Sequence, residues 1–111
     1  MEDLLIELLP GSNPGERVLK LTGPFVLKTI FEFQDIVRKD APAMTVIDLS
    51  GVPYMDSAAL GAILGFHASC QREGRDYNLL GVSDRLKTLF KVAGVDGLLH
   101  LQTSAAETAR P

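Results

Sequence analysis

The chain is predicted to be a single α/β domain, with a mixed, mainly parallel β-sheet and helices packed against it. Three observations predict this. Short apolar runs bounded by Gly and Pro alternate with longer segments of helical period. A run rich in β-branched residues, Met44-Thr45-Val46-Ile47-Asp48-Leu49, sits mid-chain. A length of 111 residues with 46% hydrophobic content suffices for one core without staples. The expected order is β-β-α-β-α-β-α-β, and the right-handed crossovers between such strands keep the sheet largely parallel. One domain is expected over 1–111, its core ending near 102, with 103–111 a frayed tail or short helix.

Leu4 to Leu9 is the first strand, and Pro10-Gly11-Ser12-Asn13-Pro14-Gly15 is a hairpin-like connection. Arg17 to Thr22 alternates partially and ends at Gly23-Pro24, which predicts an antiparallel partner for the first strand. From Val26 the period becomes helical. Val26, Ile30, Phe33 and Val37 share one stripe flanked by Leu27 and Ile36, opposite Lys28, Glu32, Asp35 and Lys39. Phe31 lies off the stripe and reads as edge packing rather than a partner contact. Met44 to Leu49 is expected to be a central strand buried on both faces. Gly51 to Met55 is a loop, since Pro53 donates nothing to a sheet ladder.

A long helix is expected from Ser57 to Glu73, stopped by Gly74. Tyr77 to Gly81 is a strand. Ser83 caps a third helix carrying Leu86, Leu89 and Phe90, closed by Gly94. Leu98 to Leu101 is a last strand, and Ser104 to Glu107 has the spacing of a capping box before a terminal helix.

Composition narrows the function classes. A net charge of −3 with scattered Lys and Arg argues against nucleic-acid binding, which needs clustered positive charge. A single cysteine, Cys70, excludes an internal disulfide and a cysteine-based zinc site, and it reads as an inert core thiol. Asp48, Asp56 and Asp84 form no recognisable metal set, and no metal or cofactor is expected. The start of the chain lacks a basic, apolar leader, and no apolar run approaches the roughly 20 residues that span a bilayer. A cytoplasmic protein without membrane insertion is expected.

The informative stretch runs from Val46 to Gly61, where a strand leads through a loop into a helix opening at Asp56-Ser57. Asp56 is an N-cap residue type, because its carboxylate accepts the orphan N–H groups of a first turn. Ser57 then stands exposed at the positive end of the helix, where a phosphate is tolerated. Such a phosphate adds about −1.5 to −2 charges, so its main effect falls on whatever binds there. Leu60, Ile63, His67 and Cys70 define the helix's core side, flanked by Leu64 and Ala59; Ala58, Gly61, Ala62, Gly65 and Ser69 form much of the other. These small residues allow another backbone to approach closely. Alternatively, the glycines relieve crowding against a neighbouring helix of the same domain.

Tyr54-Met55-Asp56-Ser57-Ala58-Ala59-Leu60-Gly61-Ala62-Ile63-Leu64-Gly65 resembles the signature of the STAS family, which includes bacterial anti-sigma factor antagonists and domains of sulfate transporters. The likeness extends to Gly81-Val82-Ser83, Leu86 to Phe90 and Val92-Ala93-Gly94-Val95. It implies a protein-binding switch. Ser57 would be phosphorylated by an anti-sigma factor with serine kinase activity, Asp56 would be the motif's acidic residue, and the unphosphorylated chain would bind that kinase and release a sigma factor. The docking surface is expected at Ala58, Ala59, Gly61, Ala62 and Gly65. Ala58-Ala59 departs from the Ser/Thr-Gly that is common in the family, and Gly23-Pro24-Phe25 replaces a polar contact loop, suggesting a more hydrophobic contact.

Catalysis is not expected. The nucleophile-elbow glycines are absent around Ser57, and His67 lies ten residues along the helix, roughly 15 Å away. His67 reads as a packed boundary histidine, and His100 belongs to a strand or its edge. Two other readings stand beside the switch. One is a non-phosphorylated STAS subunit of a larger assembly, such as a lipid-transport or stress-signalling complex. The other is a nucleotide-binding module, although no phosphate-binding glycine loop is present. No obligatory small-molecule ligand is expected.

Overall fold

The computed structural model describes residues 3–39 and 42–102. Strands β1 (Leu5–Pro10) and β2 (Glu16–Thr22) pair antiparallel, with Leu8 opposite Leu19. A 3-10 turn over Leu27–Thr29 leads into α1 (Ile30–Lys39). Then follow β3 (Met44–Gly51), α2 (Ser57–Glu73), β4 (Asp76–Leu80), α3 (Asp84–Val92) and a short β5 (Leu101–Gln102). The sheet order is β1-β2-β3-β4-β5, and every pair after the first is parallel. The α/β fold and its mixed sheet thus match the expectation. The capping box at Ser104 to Glu107 lies outside the described residues.

Period-2 alternation places Leu19, Ile47 and Leu79 side by side on one face of the sheet, all fully buried. Ile30, Phe33 and Val37 of α1, and Leu60, Ile63, Phe66 and Cys70 of α2, cover that face. Residues Val46 and Asp48 point the other way and are only half-buried, so β3 is buried fully on one face and not on both. The reason is topological. No helix among the described residues contributes a comparable apolar layer to the second face.

Helix ends follow their local chemistry. Ser83 Oγ accepts from the Leu86 N–H at 3.2 Å, and Gly74 closes α2 in the left-handed region at φ 67°. Helical structure starts at Leu27, one residue later than expected and first as a 3-10 turn. The Thr29 hydroxyl accepts from the Val26 N–H at 3.0 Å and donates to the Pro24 carbonyl at 2.9 Å, which fastens this tight turn. The last strand is shorter than the expected Leu98 to Leu101. The N–H groups of Leu98 and Leu99 both go to the Val95 carbonyl, so that segment is a turn extending from α3 and is not free to join the ladder.

Candidate functional site

The site forms where two loops are zipped together at the C-terminal ends of β2 and β3. The Gly23 N–H donates to the Gly51 carbonyl at 2.9 Å, the Phe25 N–H to Tyr54 at 3.2 Å, and the Asp56 N–H to Phe25 at 3.3 Å. Asp56 completes the seam with its side chain. Its Oδ1 accepts from the Ala59 N–H and its Oδ2 from the Leu27 N–H, both at 3.0 Å. One carboxylate therefore caps α2 and holds the turn that starts the α1 segment. The first of these bonds follows from the sequence. The second spans 29 positions and has no local signal.

Burial alone pushes the Asp56 carboxyl up, but the N–H groups of Leu27, Ala59 and Ala58, together with its own, outweigh that and hold it below its ordinary value. A depressed folded-state value contributes stability above the unfolded value near pH 4, and that stability is lost as pH falls through the folded one. Asp56→Ala is expected to cost about 1–2 kcal/mol, because it leaves two backbone donors without their acceptor. In urea titrations the variant should also lose less stability than the parent below about pH 4. An unchanged acid dependence would show that other carboxylates govern that range.

Ser57 follows the cap and is exposed at the opening of α2. Along the same face stand Gly61 and Gly65, both exposed, and a Cβ at either position would meet nothing within 4 Å. Crowding by a neighbouring helix therefore does not explain these glycines. They border a groove of roughly 280 Å³ between α1 and α2, whose walls include Gln34, Arg38, Ser69 and Arg75.

The alanines divide differently from the expectation. Ala58 is half-buried, whereas Ala59 is fully buried and Ala62 is 9% exposed, and both belong to the core. Ala59 and Ala62 are buried because α2 packs against α1 and the 3-10 turn as well as against β4, which widens its buried arc to include Phe66. Pro24 and Phe25 are also buried, Phe25 completely, with its ring edge-on to Phe33 at 5.2 Å. They form no hydrophobic contact loop. The exposed apolar groups nearby are instead Leu27 at 59% and Phe31 at 61%, one turn apart on the segment that Asp56 anchors. Phe31 therefore does not pack at an edge, and Leu27 does not flank the buried stripe. Their spacing of four was the available signal in the sequence.

His67 is buried, and its Nδ1 lies 2.7 Å from the Tyr77 hydroxyl. Cys70 is a buried free cysteine, and that burial pushes its thiol up from the ordinary value. Among the described residues no group of three or more His, Cys, Asp or Glu is arranged to hold a metal. No helix among them is long and apolar enough to cross a membrane.

Comparison with known proteins agrees with this architecture. The STAS domain model matches residues 11–108. The anti-sigma-B factor antagonist of Staphylococcus aureus is 30% identical over 86 residues, covering 75% of this chain and 80% of that protein. An anti-sigma factor antagonist from Mycobacterium paratuberculosis superposes with a TM-score of 0.80 at 17% identity, covering 95% of this chain and 90% of that one. The Bacillus cell fate determinant SpoIIAA in its phosphorylated form superposes with a TM-score of 0.72 at 16% identity, covering 95% and 96%. A zipped pair of loops, an aspartate-capped second helix and a matching family model over most of the length lead to one conclusion: this chain belongs to the STAS domain family.

Proposed function

We propose that this protein is an anti-sigma factor antagonist, a non-enzymatic switch that binds an anti-sigma factor with serine kinase activity and lets go when Ser57 is phosphorylated. The observation that carries the reading is an exposed Ser57 hydroxyl at the opening of α2, beside an uncrowded glycine face. The name of the Staphylococcus aureus relative, an anti-sigma-B factor antagonist, supports the partner class. The docking surface on this reading comprises Ser57, Ala58, Gly61 and Gly65 from α2, with Leu27 and Phe31 beside them. Aromatic and leucine side chains exposed next to a smooth backbone suit a partner that inserts its own apolar groups between them.

Phosphorylation then acts on docking rather than on folding. Asp56 already occupies the N–H groups that a helix terminus offers an anion, so a phosphate on Ser57 finds little intramolecular reward. Its charge instead meets the partner across a drying interface, where an unpaired charge is costly.

Incubation with an anti-sigma factor kinase and ATP, followed by intact-mass measurement, tests the reading. One phosphate per chain is expected, absent in Ser57→Ala. No gain, or a gain that survives the substitution, overturns the switch and favours a non-phosphorylated subunit of a larger assembly. Gly61→Ala and Gly65→Ala give a second test. Each should stabilise the free protein by up to about 1 kcal/mol, since alanine is the better helix former and has room there. Each should also weaken partner binding, as read by calorimetric titration. Unaltered affinity in both would move the docking surface away from this face.

A further inference from the structure

The groove between α1 and α2 is lined by two guanidinium groups, Arg38 and Arg75, and by one carboxylate, Glu73. Arg75 follows Gly74, whose left-handed turn ends α2 and leads the chain into β4. The Arg75 side chain lies back against α2, with its guanidinium 5.7 Å above the Phe66 ring and only 8% of the side chain exposed. Its Nε and Nη2 both donate to Glu73 Oε1, at 2.8 Å and 2.6 Å. A single oxygen takes both bonds, so the pair is not the two-oxygen fork that a guanidinium fits best. Nη1 is buried and has no hydrogen-bond partner. A guanidinium carries five N–H donors and keeps its charge at any ordinary pH, so this nitrogen remains a donor that an incoming acceptor can satisfy. Arg38, on the α1 side of the groove, is exposed and makes no ion pair with another described residue.

We infer that this groove is a carboxylate subsite, in which Arg38 at the rim and Arg75 at the floor hold an acidic side chain of the protein partner. The inference rests on the docking face proposed above, because Gly61 and Gly65 of that face border the groove and leave a partner backbone room to come close. Charge complementarity selects the occupant, since two cations face one carboxylate and a second carboxylate balances them. Val37 and Phe66 supply an apolar wall for the stem of an aspartate or glutamate, and the Gln34 amide and Ser69 hydroxyl stand beside the charge. A phosphate suits the place less well. Phosphates are held where the N–H groups of a helix N-terminus converge, whereas Arg38 and Glu73 lie in the last turns of α1 and α2, whose carbonyl ends disfavour a doubly charged anion.

Arg38→Glu in the full chain tests this, because Arg38 is exposed and its replacement leaves the core and Ser57 alone. Affinity for the anti-sigma factor, read by calorimetric titration at low salt, should fall about tenfold or more, and Arg38→Lys should keep part of it. Lys39→Glu makes the same change of charge on the next residue but outside the groove, and should stay within about twofold of the parent. Equal losses in these two charge reversals overturn the subsite, since the overall field of the protein would then explain both. Parent-like binding by Arg38→Glu overturns it as well. Ser57→Asp measured alongside separates the subsite from the switch. If only Ser57→Asp loses binding, the subsite falls and the switch stands; if only Arg38→Glu does, the reverse holds. NMR of the arginine Nε–H groups in the free protein needs no partner: sodium acetate should shift the Arg75 signal saturably, beyond sodium chloride at equal ionic strength. Saturation by inorganic phosphate and not by acetate overturns the assignment to an acidic side chain.

Discussion

Ser57→Asp is expected to lower affinity for an anti-sigma factor partner by about 100-fold or more while leaving the melting temperature within a few degrees of the parent. A charge placed against an apolar or like-charged partner face costs several kcal/mol, and about 3 kcal/mol corresponds to roughly 100-fold. Within the free protein two small effects oppose each other. The start of a helix favours an exposed negative charge by about 0.3–1 kcal/mol, and the neighbouring Asp56 carboxylate disfavours it. For a domain of this size 1 kcal/mol shifts the melting temperature by about 4–8 °C, so a near-cancelled balance moves it less. Ser57→Ala should bind as the parent does and lose only its response to the kinase. Paired calorimetric titration and thermal melts would check both arms. If Ser57→Asp melted far below the parent, Ser57 would be a packing residue, and the regulatory reading would fall.

The largest stability effect is expected at Phe66, which sits on α2 one residue from Gly65. Its ring lies edge-on to Phe33 at 6.4 Å, tilts against Tyr77 at 5.6 Å and carries the Arg75 guanidinium 5.7 Å above it. Phe66→Ala removes the ring that joins α1, α2 and β4, and a loss of about 3–5 kcal/mol is expected. Against a typical total of about 5–15 kcal/mol, such a variant is close to unfolding under mild denaturant. Phe31→Ala makes the instructive contrast. That ring is mostly in solvent, so its removal should change stability by no more than about 0.5 kcal/mol while weakening partner binding. Urea unfolding of the two variants side by side measures the difference. Equal costs would mean that Phe31 is packed after all.

The sequence by itself determined everything that depends on neighbours a few positions apart. The bounds of α2, with Asp56 at one end and Gly74 at the other, follow from capping chemistry and helical period. So does the Ser83 cap of α3, and so does the exposure of Ser57, which the first position of a capped helix dictates. The crossover rule was enough to choose an α/β sheet that is parallel beyond its first pair. Only the tertiary structure decided how wide each buried face is. A helical wheel gives the phase of an apolar stripe but not the number of neighbours it meets, so Ala62 was placed on the wrong side and the burial of Phe66 was not seen, while Ile63 and Cys70 were placed correctly. The same gap hid the burial of Pro24 and Phe25 and the exposure of Leu27 and Phe31. The Asp56 link to Leu27 and the His67–Tyr77–His100 cluster join residues 10 to 29 positions apart. Contacts at that range leave no trace in local periodicity, because the chain closes them only when its layers pack.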